Sequence, residues 1–110
     1  MATNARFAKL ADIELSEAIA YYDTEAHMGL TFAREVQRVV ELAKQFPESG
    51  TLVPVRRIRR QVRLFRLNPE FRYDLVAALI EEDDLLLIVA VAHHSRSPKY
   101  WLSRLAEVKR

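Results

Sequence analysis

The hydrophobic period of this chain changes once along its length, and that change limits the folds open to it. Ala11, Leu15, Ala18, Ile19 and Tyr22 recur at i, i+4, i+7, i+8 and i+11, one apolar stripe of an α-helix. The spacing predicts a helix over 11–27. Gly29 is expected to close it, because a residue without a Cβ enters the left-handed conformation of a helix end without a clash. Phe32, Val36, Val39, Val40 and Ala43 repeat the pattern and predict a second helix. It should end at Phe46, since the residue before Pro47 is pushed out of the α region. Two amphipathic helices joined this tightly form an antiparallel hairpin with one apolar face.

From Ile58 onward the period is two. A strand is expected over 57–67, with a parity switch at Phe65 that signals a bulge or a strand end. Asn68-Pro69-Glu70 is turn chemistry, and Phe71, Tyr73, Leu75, Ala77 and Leu79 alternate as a second strand over 71–79. Glu81 to Asp84 makes a hairpin tip, and Leu85 to His93, apolar on both faces, reads as a covered strand. Ser97-Pro98 reads as an N-cap followed by proline at N1, opening a short helix with Trp101, Leu102 and Leu105 on one side. A short strand around Arg6 to Leu10 should join the sheet edge. The fold class is α+β: a helical hairpin packed on a small, mainly antiparallel β-sheet, with a short C-terminal helix. No linker or repeat divides the chain, so residues 1–110 are expected to form a single domain.

Composition narrows the chemistry. The chain has no Cys, which removes disulfides, thiol catalysis and thiolate metal sites and points to a reducing cytoplasm. Its longest apolar run, Leu85 to Ala92, is far short of the roughly 18 residues of a membrane span, and no membrane partner is expected. Met1 to Leu10 does not read as a secretory signal. Charge is uneven. Residues 1–50 carry five basic and eight acidic side chains, a net −3, whereas residues 51–110 carry twelve and seven, a net +5. Arg56, Arg57, Arg59, Arg60, Arg63 and Arg66 fall in one run with no acid between Thr51 and Pro69. Such a run either shields a solvated strand from edge-to-edge pairing or presents a positive field to RNA, DNA or an acidic protein surface.

His93 and His94 are neighbours on a strand and so point to opposite faces, which argues against one shared metal ion. His27 lies in the hairpin, and the acids cluster at a turn, so no zinc-type spacing is present and no metal site is expected. Arg96, Tyr100 and Arg104 flank the last helix beside His93, and Trp101 is expected in the core. There is no glycine-rich phosphate loop and no Gly-x-Ser-x-Gly nucleophile motif.

These residues also carry a resemblance. Ala11-x-x-Glu14-Leu15-x-Glu17-Ala18-x-x-Tyr21-Tyr22, Gly29-Leu30-x-Phe32-x-x-Glu35-Val36 and Phe46-Pro47-Glu48-x-Gly50 resemble the helical hairpin of the RelE/ParE toxins of bacterial toxin–antitoxin systems. Phe71-x-Tyr73-x-Leu75-Val76 is similar to a strand of that family. Val89-Ala90-Val91-Ala92-His93-x-x-Arg96-x-Pro98-x-Tyr100-Trp101-x-x-Arg104 resembles its closing signature, in the ParE branch more than the ribonuclease branch. Arg72 stands where the family usually has proline, and Ala77 where ParE-like members usually have tyrosine. The resemblance implies a toxin that traps DNA gyrase without being an enzyme, a cognate antitoxin as partner, and no cofactor. It leaves two alternatives: a RelE-like endonuclease acting on the ribosome and mRNA, with Tyr73, His93, Arg96 and Tyr100 as catalytic candidates, or an inactive module that only binds antitoxin. Arg56, Arg57, Arg59, Arg60, Arg63, Arg66, Arg96, Tyr100 and Arg104 are the candidate target- or antitoxin-binding residues.

Overall fold

The computed structural model describes residues 2 and 4–108. In chain order it contains β1 (Asn4–Phe7), α1 (Lys9–Ala26), α2 (Gly29–Gln45), β2 (Thr51–Leu52), β3 (Val62–Arg66), β4 (Tyr73–Ile80), β5 (Leu85–His93) and a C-terminal 3-10 helix (Leu102–Val108). The strands form one sheet in the order β1-β5-β4-β3-β2. β1 runs parallel to β5, and the other pairs are antiparallel. This is the α+β arrangement expected from the change of period.

Both helical stripes are buried as the spacing requires. Phe32, Val36, Val39, Val40 and Ala43 of α2 and Ala11 and Ala18 of α1 lie against the sheet, with Leu15, Ile19 and Tyr22 packed at the margin. Tyr22 stacks on Phe32 at 4.9 Å, and Phe71 meets both rings edge-on at 5.1 and 5.2 Å, an aromatic knot that fixes the hairpin over β4. Gly29 does not close α1. His27 takes the left-handed conformation (φ 54°), and Gly29 instead opens α2. Glycine is needed there because a Cβ would stand 2.8 Å from the Asp23 Cβ and 3.0 Å from the Ile19 carbonyl. The glycine serves close helix approach rather than the turn itself.

The sheet is covered on both faces. Phe65, Leu75, Ala77, Leu86, Ile88 and Val91 face the hairpin, while Val62, Val76, Ala78, Leu87, Val89 and Ala90 face a second cluster under Trp101 and Leu105. Val62 and Phe65 are therefore both buried without any switch of parity. The irregularity expected at Phe65 lies elsewhere. Val76 pairs with Ala90 and Ala77 with Ile88, so Val89 is an extra residue that bulges β5 and reverses its facing from there on.

Two further expectations are corrected. The strand predicted over 57–67 begins only at Val62, because Pro54 and a left-handed Arg57 (φ 64°) keep residues 54–60 off the ladder. Val55 and Ile58 are loop anchors packed on the second cluster, not alternate residues of a strand. Ser97-Pro98 does not open a helix either. Lys99 is left-handed (φ 61°), the Tyr100 amide donates to the Ser97 carbonyl at 3.2 Å, and the 3-10 helix starts after this turn at Leu102. Trp101 and Leu105 are buried as expected, whereas Leu102 turns outward. No helix among the described residues is long and apolar enough to cross a membrane.

Candidate functional site

β5 is longer than the strand beside it. β1 pairs with Leu85 to Ile88, and the chain then leaves for α1 after a hydrogen bond that the Ala8 amide donates to the Ile88 carbonyl at 2.8 Å. Past that point β5 still pairs with β4 but has no strand on the edge β1 has left, and unpaired buried peptide groups are costly. Side chains supply the partners. Glu14 of α1 accepts from the Val91 amide at 3.0 Å, and Arg104 of the C-terminal helix donates to the Val89 carbonyl at 3.0 Å. The two side chains then join each other through a guanidinium–carboxylate fork at 2.8 and 3.0 Å, and the Tyr100 hydroxyl donates to Glu14 Oε2 at 2.6 Å. One carboxylate thus ties helix α1, strand β5 and the C-terminal segment together.

This arrangement sets the protonation states. Burial pushes the Glu14 carboxyl up, but hydrogen bonds from Arg104, Tyr100 and the Val91 amide outweigh it and hold the group below its ordinary value. Burial, and then donation to Glu14, push the Tyr100 phenol far up. The Arg96 guanidinium lies 3.9 Å from the Tyr100 ring centroid and that of Arg104 5.1 Å, a cation–π stack over a ring whose hydroxyl is already engaged.

Next to this lock, the four residues proposed for catalysis do converge. Tyr73, His93, Arg96 and Tyr100 line one shallow depression of about 180 Å3 with Glu14 and Glu17. Tyr73 and His93 are register partners across β4 and β5, with rings edge-to-face at 4.9 Å. Burial, then the nearby Tyr22, Tyr21, Glu14 and Glu17, push the Tyr73 phenol up. His93 Nδ1 accepts the Ser95 amide at 3.0 Å, and since an amide can only donate, the proton of a neutral ring sits on Nε2.

The arginine run does not act as one patch. Arg60 forks onto Glu82 of the β4–β5 turn. Arg63 donates to the Gly50 carbonyl at 2.7 Å and the Glu48 carbonyl at 3.3 Å, tying the segment before β2 to β3. Arg56, Arg57 and Arg59 are exposed on the 53–61 loop without an acidic partner among the described residues, and Arg66 is exposed on β3. The run therefore combines two fasteners with a solvated cationic loop.

On the opposite face of the sheet from the hairpin, a cavity of about 350 Å3 has Leu64, Val76 and Ala92 for a floor and Asp74 and His94 at one end. Asp74 is buried, with His94 Nε2 3.1 Å from its Oδ1 but off the hydrogen-bond direction, so that oxygen has no directed donor. Among the described residues, no group of three His, Asp or Glu is placed to hold a metal ion.

The alternation of strand β4 hid Asp74, which looked like an outward polar residue. Glu14 had a readable signal. It stands at i+3 from Ala11 and i−4 from Ala18, a carboxylate on the buried stripe of a helix, which calls for a cation.

The family model for the ParE toxin of type II toxin–antitoxin systems, parDE, matches residues 5–98 of the 110. The chain belongs to the ParE toxin family. No curated protein matches it. ParE membership makes this a toxin of a type II toxin–antitoxin system and implies an antitoxin partner. It also gives the Ala77 departure a location. In this ParE chain the Ala77 side chain is 1% exposed, in the core under the hairpin.

Proposed function

We propose that this ParE-family toxin acts by binding, poisoning DNA gyrase, and that a cognate antitoxin neutralises it. The observation that carries the reading is the Glu14 lock. Tyr100, one of the candidates an RNA-cleaving site would use for proton transfer, is held together with Arg104 by one carboxylate. The chemistry left facing solvent is cationic and suited to docking: Arg56, Arg57, Arg59, Arg66 and Arg96. Gyrase as the target rests on the ParE branch of the family and the Tyr100-Trp101 ending.

A ribonuclease reading has one observation in its favour, the convergence of His93 with Tyr73 and Arg96 in a single depression. The experiment is a side-by-side assay of purified toxin for inhibition of gyrase supercoiling and for ribosome-dependent mRNA cleavage, each with and without antitoxin. Blocked supercoiling with intact mRNA is expected. Cut mRNA with unaffected gyrase would replace the reading with the endonuclease, and inactivity in both would leave an antitoxin-binding module. Cytoplasmic action follows from this proposal, since gyrase and ribosomes are found there.

A further inference from the structure

The 3-10 helix Leu102–Val108 has a groove on each side. One, of about 500 Å3, has Val55, Ile58 and Leu102 for its apolar wall and Arg56, Arg57 and Lys99 at its rim. The other, of about 480 Å3, has Ala8, Leu10 and Leu87 for its wall and Arg6, Lys9 and Arg104 at its rim. Ser103 and Ala106 line both, so the ridge between them is made of small side chains. Leu10 is 50% exposed and Leu102 43%, leaving a large apolar side chain open to solvent at each groove.

Charge selects the occupant. Among the residues whose side chains are described, 2 and 4–106, no Asp or Glu lines either groove. Arg104 is engaged by Glu14, and Lys99 donates to the Pro54 carbonyl at 3.0 Å. Arg6, Lys9, Arg56 and Arg57 are exposed without an acidic partner among the described residues, two on each flank. A partner crossing the helix meets cation, apolar groove, low ridge, apolar groove and cation in turn.

We infer that an acidic amphipathic segment of the antitoxin lies across the 3-10 helix, setting one apolar side chain in each groove and carboxylates against Arg6, Lys9, Arg56 and Arg57. The inference rests on the antitoxin reading above and adds the surface. It places recognition on cations from both halves of the chain, where the arginine run alone would suggest only one. It also places the antitoxin over the segment that Glu14 anchors.

The test is titration of the antitoxin encoded with the toxin against Arg6→Glu/Lys9→Glu, Arg56→Glu/Arg57→Glu, and Ala106→Trp, which raises the ridge. Arg34→Glu, an exposed position on α2 away from both grooves, is the control, and thermal melts verify the fold of each. Each double reversal should weaken binding about tenfold or more and flatten its salt dependence, Ala106→Trp should weaken it without changing the salt slope, and Arg34→Glu should do neither. Tight binding to wild type that all three groove variants retain would overturn the surface and leave the antitoxin reading standing. Failure of the antitoxin to bind folded wild-type toxin would overturn both. Self-association of toxin alone, abolished by Ala106→Trp, would assign the grooves to a second copy and overturn the proposal.

Discussion

Under the hairpin, the sheet is held by area: two long helices bury an aromatic knot and a row of valines over β4 and β5. On the other face the cover is thin. Trp101 and Leu105 are its large buried side chains, the segment carrying them is a turn and a 3-10 helix, and polar ties from Arg104 and Tyr100 to Glu14 fasten it down. Dispersed burial loses a little with each perturbation, whereas a cover fastened at one point depends on that point. The difference predicts that the first face fails globally and the second locally.

The largest effect should come from Phe32→Ala. Phe32 is fully buried with rings on several sides, and truncation should cost about 4 kcal/mol by the usual scale for buried aromatics, seen as a large drop in the denaturant midpoint. Trp101→Ala should cost about 3 kcal/mol, at the low end of that scale because its cover can partly collapse. If Trp101→Ala proves the more damaging, the thin face and not the hairpin dominates stability.

Glu14→Ala comes next. It leaves the Val91 amide and the Tyr100 hydroxyl without their acceptor and Arg104 with only the Val89 carbonyl, with a cost of about 3 kcal/mol expected for breaking a largely buried pair. Amide hydrogen exchange should quicken first at residues 97–106 while α2 stays protected. Uniform quickening would erase the contrast between the faces.

Acid should act on the same point. The folded Glu14 carboxyl sits below its ordinary 4.5, so the stability it contributes is present above that value and is lost as pH falls through the folded value. Glu35 adds to this dependence, its carboxyl held down by Arg38 and the Asn68 amide. Glu14→Gln should flatten the acid limb of a stability–pH curve more than Glu35→Gln, since Glu35 is tied to the exposed Arg38. An unchanged limb would remove the lock from the account.

The smallest effects belong to the loop. Arg56→Ser, Arg57→Ser and Arg59→Ser should each move stability by no more than about 0.5 kcal/mol, while Arg63→Ala should cost about 1 kcal/mol through its lost carbonyl bonds. Equal melts for all four would return the run to a single solvated patch.

Much of the architecture was legible because periodicity reports which side of an element meets a core, and the valines of α2 and the run Leu85 to His93 could be assigned by spacing alone. Tyr73, His93, Arg96 and Tyr100 were also named in advance, and they do share one depression. Their polar tips were not legible, because nothing local in the chain states that Tyr100 and Arg104 meet a carboxylate some ninety positions earlier.

Sequence by itself determined the element types, the buried stripes and the cationic character of the second half, since each depends on residues a few positions apart. Tertiary structure alone decided which arginines are fasteners and which are free, where β5 bulges, and that a carboxylate on the buried face of α1 closes the sheet's unpaired edge. Those outcomes depend on which backbone groups remain unpaired after the strands assemble, and that is known only when the whole sheet is in place.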